Sequence, residues 1–267
     1  MTFVERFRAF CAERRSHLCV GLDPEPARLP VAVRGEPDPV FAFNKAIVDA
    51  TLDVAPVYKP NFAFYEALGL EGWTSLKRTV EYIGGRAIVL ADAKRGDIEN
   101  TQRAYAKAVF DVFGFDAATV SVYPGRDAAE AFLRYEEKGV FVLCRTSNRS
   151  GDDLQNLVFD GRPLYERVAE LAVEWNGRGN CGLVVGATYP AELASVVRIA
   201  PGLPILIPGA GAQGGDVEAS VRAAGNNPFV VSSSRGIIYA GDGPDFAEAA
   251  RRAALALRDQ IEMVATH

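Results

Sequence analysis

The chain of 267 residues is long enough for one large α/β domain or two small ones. Its formal net charge of −5 comes from 34 acidic and 29 basic side chains without a basic block, which argues against a nucleic-acid-binding surface and leaves room for a local anion pocket. No stretch approaches the roughly 20 consecutive apolar residues that span a bilayer.

The first fifteen residues predict a helix that closes one end of the fold. Phe3, Phe7 and Phe10 share one helical face between charged residues. The segment has no continuous apolar signal core, and Glu5 and Glu13 are atypical of an import peptide.

Cysteine usage predicts a reduced, cytoplasmic protein without a metal site. The four cysteines are far apart and form no C-x-x-C pair: Cys11, Cys19, Cys144 and Cys181. The only histidines, His17 and His267, precede a predicted strand and end the sequence, so neither is a candidate catalytic group.

Eight short apolar runs alternate with eight segments of helical periodicity. The predicted strands are 18–22, 54–58, 87–91, 118–122, 140–144, 182–185, 205–207 and 229–231. The predicted helices are 41–52, 73–83, 98–113, 128–137, 164–175, 191–199, 217–224 and 246–264. Repeated strand-helix alternation implies parallel pairing, and eight units in this length predict one (β/α)₈ TIM barrel over residues 1–267.

A doubly wound open sheet is the alternative fold. The stretch Gly209-Ala-Gly-Ala-Gln-Gly214 resembles a dinucleotide fingerprint. However, it follows the seventh predicted strand rather than the first, and no strand-ending acidic residue follows at the expected distance. The barrel is therefore the favoured interpretation.

Two insertions, 24–39 and 146–162, follow the first and fifth predicted strands. Both leave carboxyl ends of strands, where barrels build their active sites. We expect the second to act as a lid, whereas the first is equally compatible with a lid or a passive surface loop.

The strongest candidate for chemistry is the run 88–98. Ile88–Ala91 is continuously apolar, as in a strand buried on both faces. Asp92 and Lys94 follow two positions apart and so share one side of the strand. Gly96 allows a sharp turn, and Asp97 opens the next helix. Such charges are costly to desolvate without a partner or a purpose.

Other polar residues also fall at carboxyl ends of predicted strands, and in a barrel these ends converge on one mouth. The rim residues are Asp23, Lys59, Asp92, Lys94, Asp97, Ser147, Gln213 and Arg235. The glycine-rich seventh loop, 208–215, and the eighth, 232–236, can direct backbone N–H groups at an anion. Arg235 adds a fixed charge with bidentate geometry, so the sequence predicts a phosphorylated small-molecule ligand.

These motifs resemble the orotidine 5′-monophosphate decarboxylase family, in the variant typical of mycobacteria and many other bacteria. The resemblance spans Leu18 to Tyr239. It is carried by Asp92-Ala-Lys94-Arg-Gly-Asp97-Ile98, Lys59-Pro-Asn61 with Phe64-Tyr-Glu66, Pro208-Gly-Ala-Gly-Ala-Gln213-Gly-Gly215 and Ser232-Ser-Ser-Arg235-Gly236. The first motif alone is shared with sugar-phosphate decarboxylases of the same suprafamily.

The resemblance implies cofactor-independent decarboxylation of orotidine 5′-monophosphate to uridine 5′-monophosphate and CO₂ in de novo pyrimidine biosynthesis. Lys59, Asp92, Lys94 and Asp97 would form an alternating charged array, with Lys94 as the proton donor. Asp97 and Thr101 would act in the neighbouring subunit's site, which implies a homodimer.

The implied binding residues lie around the same mouth. Asp23 and Lys59 would hold ribose hydroxyls and orient the array, and Asn61 would also bind the substrate. Ser147 would contact the pyrimidine edge, and Gln213 would bridge base and phosphate. The implied phosphate-binding set is Gly214, Gly215, Arg235 and Gly236.

Three other functions remain open at this point. A Schiff-base aldolase would need a lysine with a lowered pKa, which flanking aspartates oppose. A 3-keto sugar-phosphate decarboxylase would need a divalent metal. A non-catalytic phosphate-binding barrel would bind uridine monophosphate without consuming orotidine monophosphate.

Overall fold

The computed structural model describes residues 1–209 and 216–265, and the backbone there forms a closed barrel of eight parallel strands. In chain order the strands are β1 Leu18–Gly21, β2 Val57–Lys59, β3 Ile88–Arg95, β4 Ala117–Val120, β5 Gly139–Arg145, β6 Val158–Phe159, β7 Arg162–Pro163, β8 Cys181–Val185, β9 Ile205–Pro208 and β10 Phe229–Ser233. The short β6 and β7 form a separate antiparallel hairpin in the fifth loop.

The barrel closes because β1 pairs with β2 on one side and with β10 on the other. Every other barrel strand lies between the barrel strands that precede and follow it in the sequence, and β5 is next to β8 because β6 and β7 are not part of the barrel. This confirms the predicted (β/α)₈ barrel, and the doubly wound alternative is wrong. The stretch 210–215, which carries most of the fingerprint-like glycine run, lies outside the described residues.

Helices surround this barrel. They are α1 Phe3–Arg14, α2 Val31–Arg34, α3 Pro39–Thr51, α4 Phe62–Glu66, α5 Gly69–Ile83, α6 Glu99–Lys107, α7 Asp127–Leu133, α8 Leu164–Trp175, α9 Pro190–Ile199, α10 Val217–Ala224, α11 Arg235–Ile238 and α12 Phe246–Ala265. Helices α8 and α10 begin and end at the predicted residues. Within the described ranges, the longest helices are all too polar or too short to cross a membrane.

One predicted helix, 98–113, is not a continuous α-helix. The α-helix ends at Lys107, and the segment Ala108–Val112 continues as a wider π-helical turn. That turn buries Val109 and Phe110 while leaving Val112 exposed. Apolar spacing alone could not distinguish the two helix types, because both keep apolar residues on the barrel side.

The third strand also differs from its prediction. Instead of ending at Ala91, β3 continues to Arg95 with a register shift against β4. Asp92 and Lys94 therefore lie within an irregular part of the strand rather than beyond it. Gly96 does not adopt a left-handed turn; it is needed because a Cβ there would lie 2.6 Å from the carbonyl oxygen of Ser121.

Helix α1 closes the amino-terminal end of the barrel, as predicted. Its start is fixed by a capping box between Thr2 and Glu5. The rings of Phe3 and Phe7 pack on Phe141 inside the barrel, with centroids 6.0 and 6.5 Å away. Gly139, the first residue of β5, leaves the space for this docking, since a Cβ there would lie 2.4 Å from the Phe3 ring.

Both predicted insertions contain short ordered elements. The first, 24–39, holds a 3₁₀ turn, Pro26–Arg28, and α2; the backbone N–H of Glu25 donates to the Tyr239 hydroxyl at 2.6 Å. The second, 146–162, holds a 3₁₀ turn, Arg149–Asp153, and the β6–β7 hairpin.

The base of the second insertion is anchored by a fully buried arginine. Arg145 donates from Nη2 to Asp152 at 2.5 Å and from Nη1 to Gln155 at 3.2 Å. Its guanidinium also stacks over the Tyr189 ring at 3.8 Å. These contacts tie the fifth loop to the carboxyl end of β5 and to the segment after β8.

Candidate active site

A cavity of about 530 Å³ opens at the carboxyl ends of the barrel strands. Every barrel strand except β4 supplies a described lining residue, either from its end or from the loop that follows. The lining comprises Asp23, Lys59, Asn61, Phe64, Asp92, Lys94, Leu143, Thr146, Ser147, Asn148, Val184, Leu206, Pro208, Gly209, Ser232, Ser233, Ser234 and Arg235. Charged residues therefore converge at one mouth, as the strand pattern predicts.

At the centre of the cavity, the carboxylate of Asp92 lies between two ammonium groups. Nζ of Lys59 donates to Oδ2 at 3.0 Å, and Nζ of Lys94 donates to Oδ1 at 2.5 Å. The two lysines differ in solvent contact: the Lys59 side chain is 7% exposed and the Lys94 side chain 48%. Lys59 is thus a fixed part of the wall, and Lys94 reaches the space where a ligand would bind.

These neighbours keep the cluster ionised. Burial alone would raise the pKa of Asp92, but the adjacent Lys59 and Lys94 ammonium groups hold that pKa well below its usual range. Burial alone would lower the pKa of Lys59, but Asp92 and Asp23 outweigh it and raise that pKa above the ordinary value. Asp92 and Lys59 are therefore both charged at neutral pH. This opposes the lowered lysine pKa that a Schiff-base aldolase would need at Lys59.

Asp23 and Asn61 form the neighbouring part of the wall. Oδ1 of Asp23 accepts the backbone N–H of Asn61 at 3.1 Å. Asn61 in turn caps α4, because its side-chain oxygen accepts the N–H of Ala63 at 3.1 Å. The Lys59-Pro-Asn61 motif therefore both ends β2 and starts the next helix.

The eighth loop follows β10, the neighbour of β1, and brings three serines and an arginine to the mouth. Ser232 and Ser233 end β10, and Arg235 begins the four-residue helix α11. The Arg235 side chain is exposed and has no ion-pair partner among residues 1–209 and 216–265. Gly236 is exposed beside it but does not line the cavity. Gln213, Gly214 and Gly215 lie outside the described residues.

Ser147 lines the cavity from the fifth loop, where the hydroxyl of Thr188 donates to its carbonyl oxygen at 3.3 Å. Asp97 and Thr101 are not part of their own chain's cavity. The carboxylate of Asp97 accepts the N–H of Ile98 at 2.8 Å, and Thr101 is exposed on α6. Within one chain, therefore, Lys94 is paired with Asp92 and not with Asp97.

The sequence analysis missed two features. One is the apolar floor formed by Leu143, Val184 and Leu206, which point inward from ordinary apolar strands and carry no distinguishing pattern. The other is Thr119 on β4, which donates to Oδ1 of Asp92 at 3.1 Å. Thr119 could have been found in the sequence because it is the one hydroxyl residue in an otherwise apolar, buried strand.

The closed barrel, with its ionised cluster at the carboxyl ends of the strands, has the architecture of a TIM-barrel enzyme. Comparison with known proteins makes the assignment specific. A sequence model described as the orotidine 5′-phosphate decarboxylase / HUMPS family matches residues 16–253, and the chain belongs to this family.

Relatives named orotidine 5′-phosphate decarboxylase match nearly the whole chain. The protein from Herpetosiphon aurantiacus is 52% identical, over 95% of this chain and 96% of its own. That from Roseiflexus castenholzii is also 52% identical, over 98% and 97%. The solved structure of Leishmania donovani OMP decarboxylase is 39% identical with a TM-score of 0.87, and both chains are covered completely. The resemblance in the sequence is confirmed.

Proposed function

We propose that the protein decarboxylates orotidine 5′-monophosphate to uridine 5′-monophosphate and CO₂, in de novo pyrimidine biosynthesis. The observation that carries the proposal is the ionised Lys59–Asp92–Lys94 cluster at the barrel mouth of a chain that belongs to the decarboxylase family. The near-complete relatives with about half their residues identical carry the decarboxylase name, which favours this activity over the sugar-phosphate chemistry of the wider suprafamily.

The reaction breaks the bond between C6 of the pyrimidine and its carboxyl carbon. The bonding electron pair stays on C6, and CO₂ leaves as a neutral molecule. A proton then passes from Nζ of Lys94 to C6, and the lysine recovers it from solvent. Because the carbanion at C6 cannot delocalise onto an adjacent carbonyl, the chemistry depends on charge placed in advance where the electron pair develops.

The cluster meets this requirement. The Lys94 ammonium reaches into the cavity while Asp92 holds it from one side, so a cation faces the developing carbanion. The Asp92 carboxylate, near the substrate carboxylate, repels it in the ground state, and that repulsion disappears as CO₂ forms. Lys59 compensates Asp92 from the buried side and prevents its protonation.

Binding groups surround the reacting centre. In this proposal Asp23 and Lys59 hold ribose hydroxyls, Asn61 also binds the substrate, and Ser147 contacts the pyrimidine edge. Arg235 binds the phosphate together with Gly214, Gly215 and Gly236, and Gln213 bridges base and phosphate. The guanidinium of Arg235 is exposed at the mouth and has no ion-pair partner within the described ranges, which supports this assignment. Binding the phosphate far from C6 supplies energy for closing the fifth loop, 146–162, over the substrate.

The functional unit in this proposal is a cytoplasmic homodimer. Lys94 is half exposed, and Asp92 is its one ion-pair partner among the residues that the structure describes, while Asp97 and Thr101 lie outside their own cavity. In the proposed dimer, the second subunit supplies both residues and completes the alternating array.

The decisive experiment follows the absorbance of orotidine monophosphate after addition of purified protein in excess EDTA. We expect the substrate absorbance to disappear and uridine monophosphate to form in equal amount. Loss of activity in EDTA with recovery on adding a divalent metal would favour the metal-dependent alternative. Tight binding of uridine monophosphate without turnover would favour the non-catalytic barrel.

A further inference from the structure

Thr119 is the one residue of β4 that lies opposite the bulge of β3, the irregular segment Asp92–Lys94. In the pairing of the two strands, Ala91 is opposite Ala118 and Arg95 is opposite Val120. Three residues of β3, Asp92 to Lys94, therefore lie across from Thr119 alone. Such an excess of residues breaks the ladder of backbone hydrogen bonds and redirects side chains.

The Thr119 hydroxyl supplies hydrogen bonds at the point where the backbone ladder between β3 and β4 is interrupted. Its oxygen accepts the backbone N–H of Lys94 at 3.0 Å, and its proton is donated to Oδ1 of Asp92 at 3.1 Å. Since Nζ of Lys94 donates to the same Oδ1 at 2.5 Å, the contacts form a closed ring. One hydroxyl thus joins the backbone of Lys94 to the carboxylate that orients its ammonium group.

The Lys94 backbone needs such support. Its φ is +46°, in the left-handed region that is unfavourable for a residue with a Cβ. Without the Thr119 hydroxyl, the Lys94 N–H would lose its acceptor and this backbone conformation would lose the contact that holds it. The direction in which the lysine leaves the strand depends on that conformation.

We propose that Thr119 is a positioning residue for the decarboxylation: it fixes Lys94 and Asp92 relative to each other so that the ammonium group faces C6. The inference rests on the proposed function. Thr119 is 1% exposed and does not line the cavity, so it acts through the two charged residues and does not touch the substrate. It should therefore affect the chemical step far more than ligand binding.

The test compares three variants at this position. Thr119→Val keeps the volume and removes both hydrogen bonds, Thr119→Ser keeps both and removes only the methyl group, and Thr119→Ala matches the small residues already present at 117 and 118. Thr51→Val is the control, because Thr51 is also fully buried and bonds through its hydroxyl, to Ile47 and Tyr58, away from the cluster.

The expected result is a split between turnover and binding. In Thr119→Val and Thr119→Ala, kcat falls about ten- to a hundredfold, while KM and the Kd for uridine monophosphate stay within about twofold. Thr119→Ser keeps kcat within about threefold of wild type. Thr51→Val lowers the melting temperature without a change in kcat.

Two results would overturn the inference: a kcat in Thr119→Ala or Thr119→Val close to that of wild type, or a Thr119→Ser variant as impaired as Thr119→Val. A fall in uridine monophosphate affinity as large as the fall in kcat would also overturn it, because it would indicate general disruption of the site. If the wild-type protein itself left orotidine monophosphate unchanged, the proposed function would fail first, before any variant was compared.

Discussion

Replacement of Asp92 by asparagine should destabilise the whole fold, because it leaves Lys59 buried without its close partner. The ion pair between them spans 3.0 Å, and the two side chains are 7% and 11% exposed. Removing one partner of a buried pair costs about 3–5 kcal/mol, because the other charge stays desolvated. Asp23 lies near enough to compensate part of this, so we place the loss at about 3 kcal/mol.

The two lysines give the matched comparison. Lys94 bonds the same carboxylate but is half exposed, so Lys94→Met should cost only about 1 kcal/mol or less. Lys59→Met removes a buried charge and leaves Asp92 paired with Lys94, so it should cost less than Asp92→Asn. In the double variant Lys59→Met, Asp92→Asn, the two losses should be strongly non-additive, since no buried charge is left unpaired.

Urea unfolding followed by circular dichroism measures these free energies. A loss of about 3 kcal/mol should lower the melting temperature by about 6–12 °C for a chain of this size. The reasoning would be refuted if Asp92→Asn and Lys94→Met were equally mild, or if the effects of Lys59→Met and Asp92→Asn simply added.

Further predictions concern turnover, phosphate and pH. Lys94→Ala should abolish decarboxylation while uridine monophosphate still binds, measured by absorbance and calorimetry; substantial residual turnover would contradict its role as proton donor. Arg235→Ala should weaken uridine monophosphate binding by about 1.5–3 kcal/mol and leave the affinity for uridine unchanged; an unaltered nucleotide affinity would remove Arg235 from the phosphate site. Because the folded-state pKa of Asp92 is lowered, its contribution to stability is present above the ordinary carboxyl pKa of 3.8 and is lost as the pH falls below it. The raised pKa of Lys59 acts in the opposite sense: the contribution of Lys59 to the free energy of unfolding is complete below pH 10.5 and declines above that pH. Urea unfolding across pH would support this if the free energies of unfolding of wild type and Lys59→Met differ below pH 10.5 and converge above it. An acid limb in Asp92→Asn identical to that of wild type would contradict the contribution of Asp92.

The barrel could be predicted because its signals are local. Each strand is a short apolar run buried on both faces, and each helix repeats its apolar positions, as in Leu164–Trp175. The convergence of Asp23, Lys59, Asp92 and Lys94 at one mouth followed from the topology alone, since all are near carboxyl ends of parallel strands.

What could not be predicted depends on contacts between distant segments. The bulge in β3 arises from its register against β4, and neither strand's sequence contains that register. Asp97 illustrates the same limit: it is two positions beyond the strand, yet its carboxylate accepts the N–H of Ile98, and the ion pair of Lys94 is with Asp92. The sequence gives charge and spacing, whereas the direction of a side chain depends on the backbone geometry around it.

The packing of α1 into the base of the barrel determines how molecules enter and leave. Phe3, Phe7 and Phe141 fill the interior beneath the cavity, so the described part of the barrel offers no passage through its axis. Substrate, CO₂ and nucleotide product must then all pass through the mouth of the cavity. If the fifth loop closes over the substrate, CO₂ and the nucleotide remain in the cavity together until the loop reopens, and that reopening sets the rate of product release.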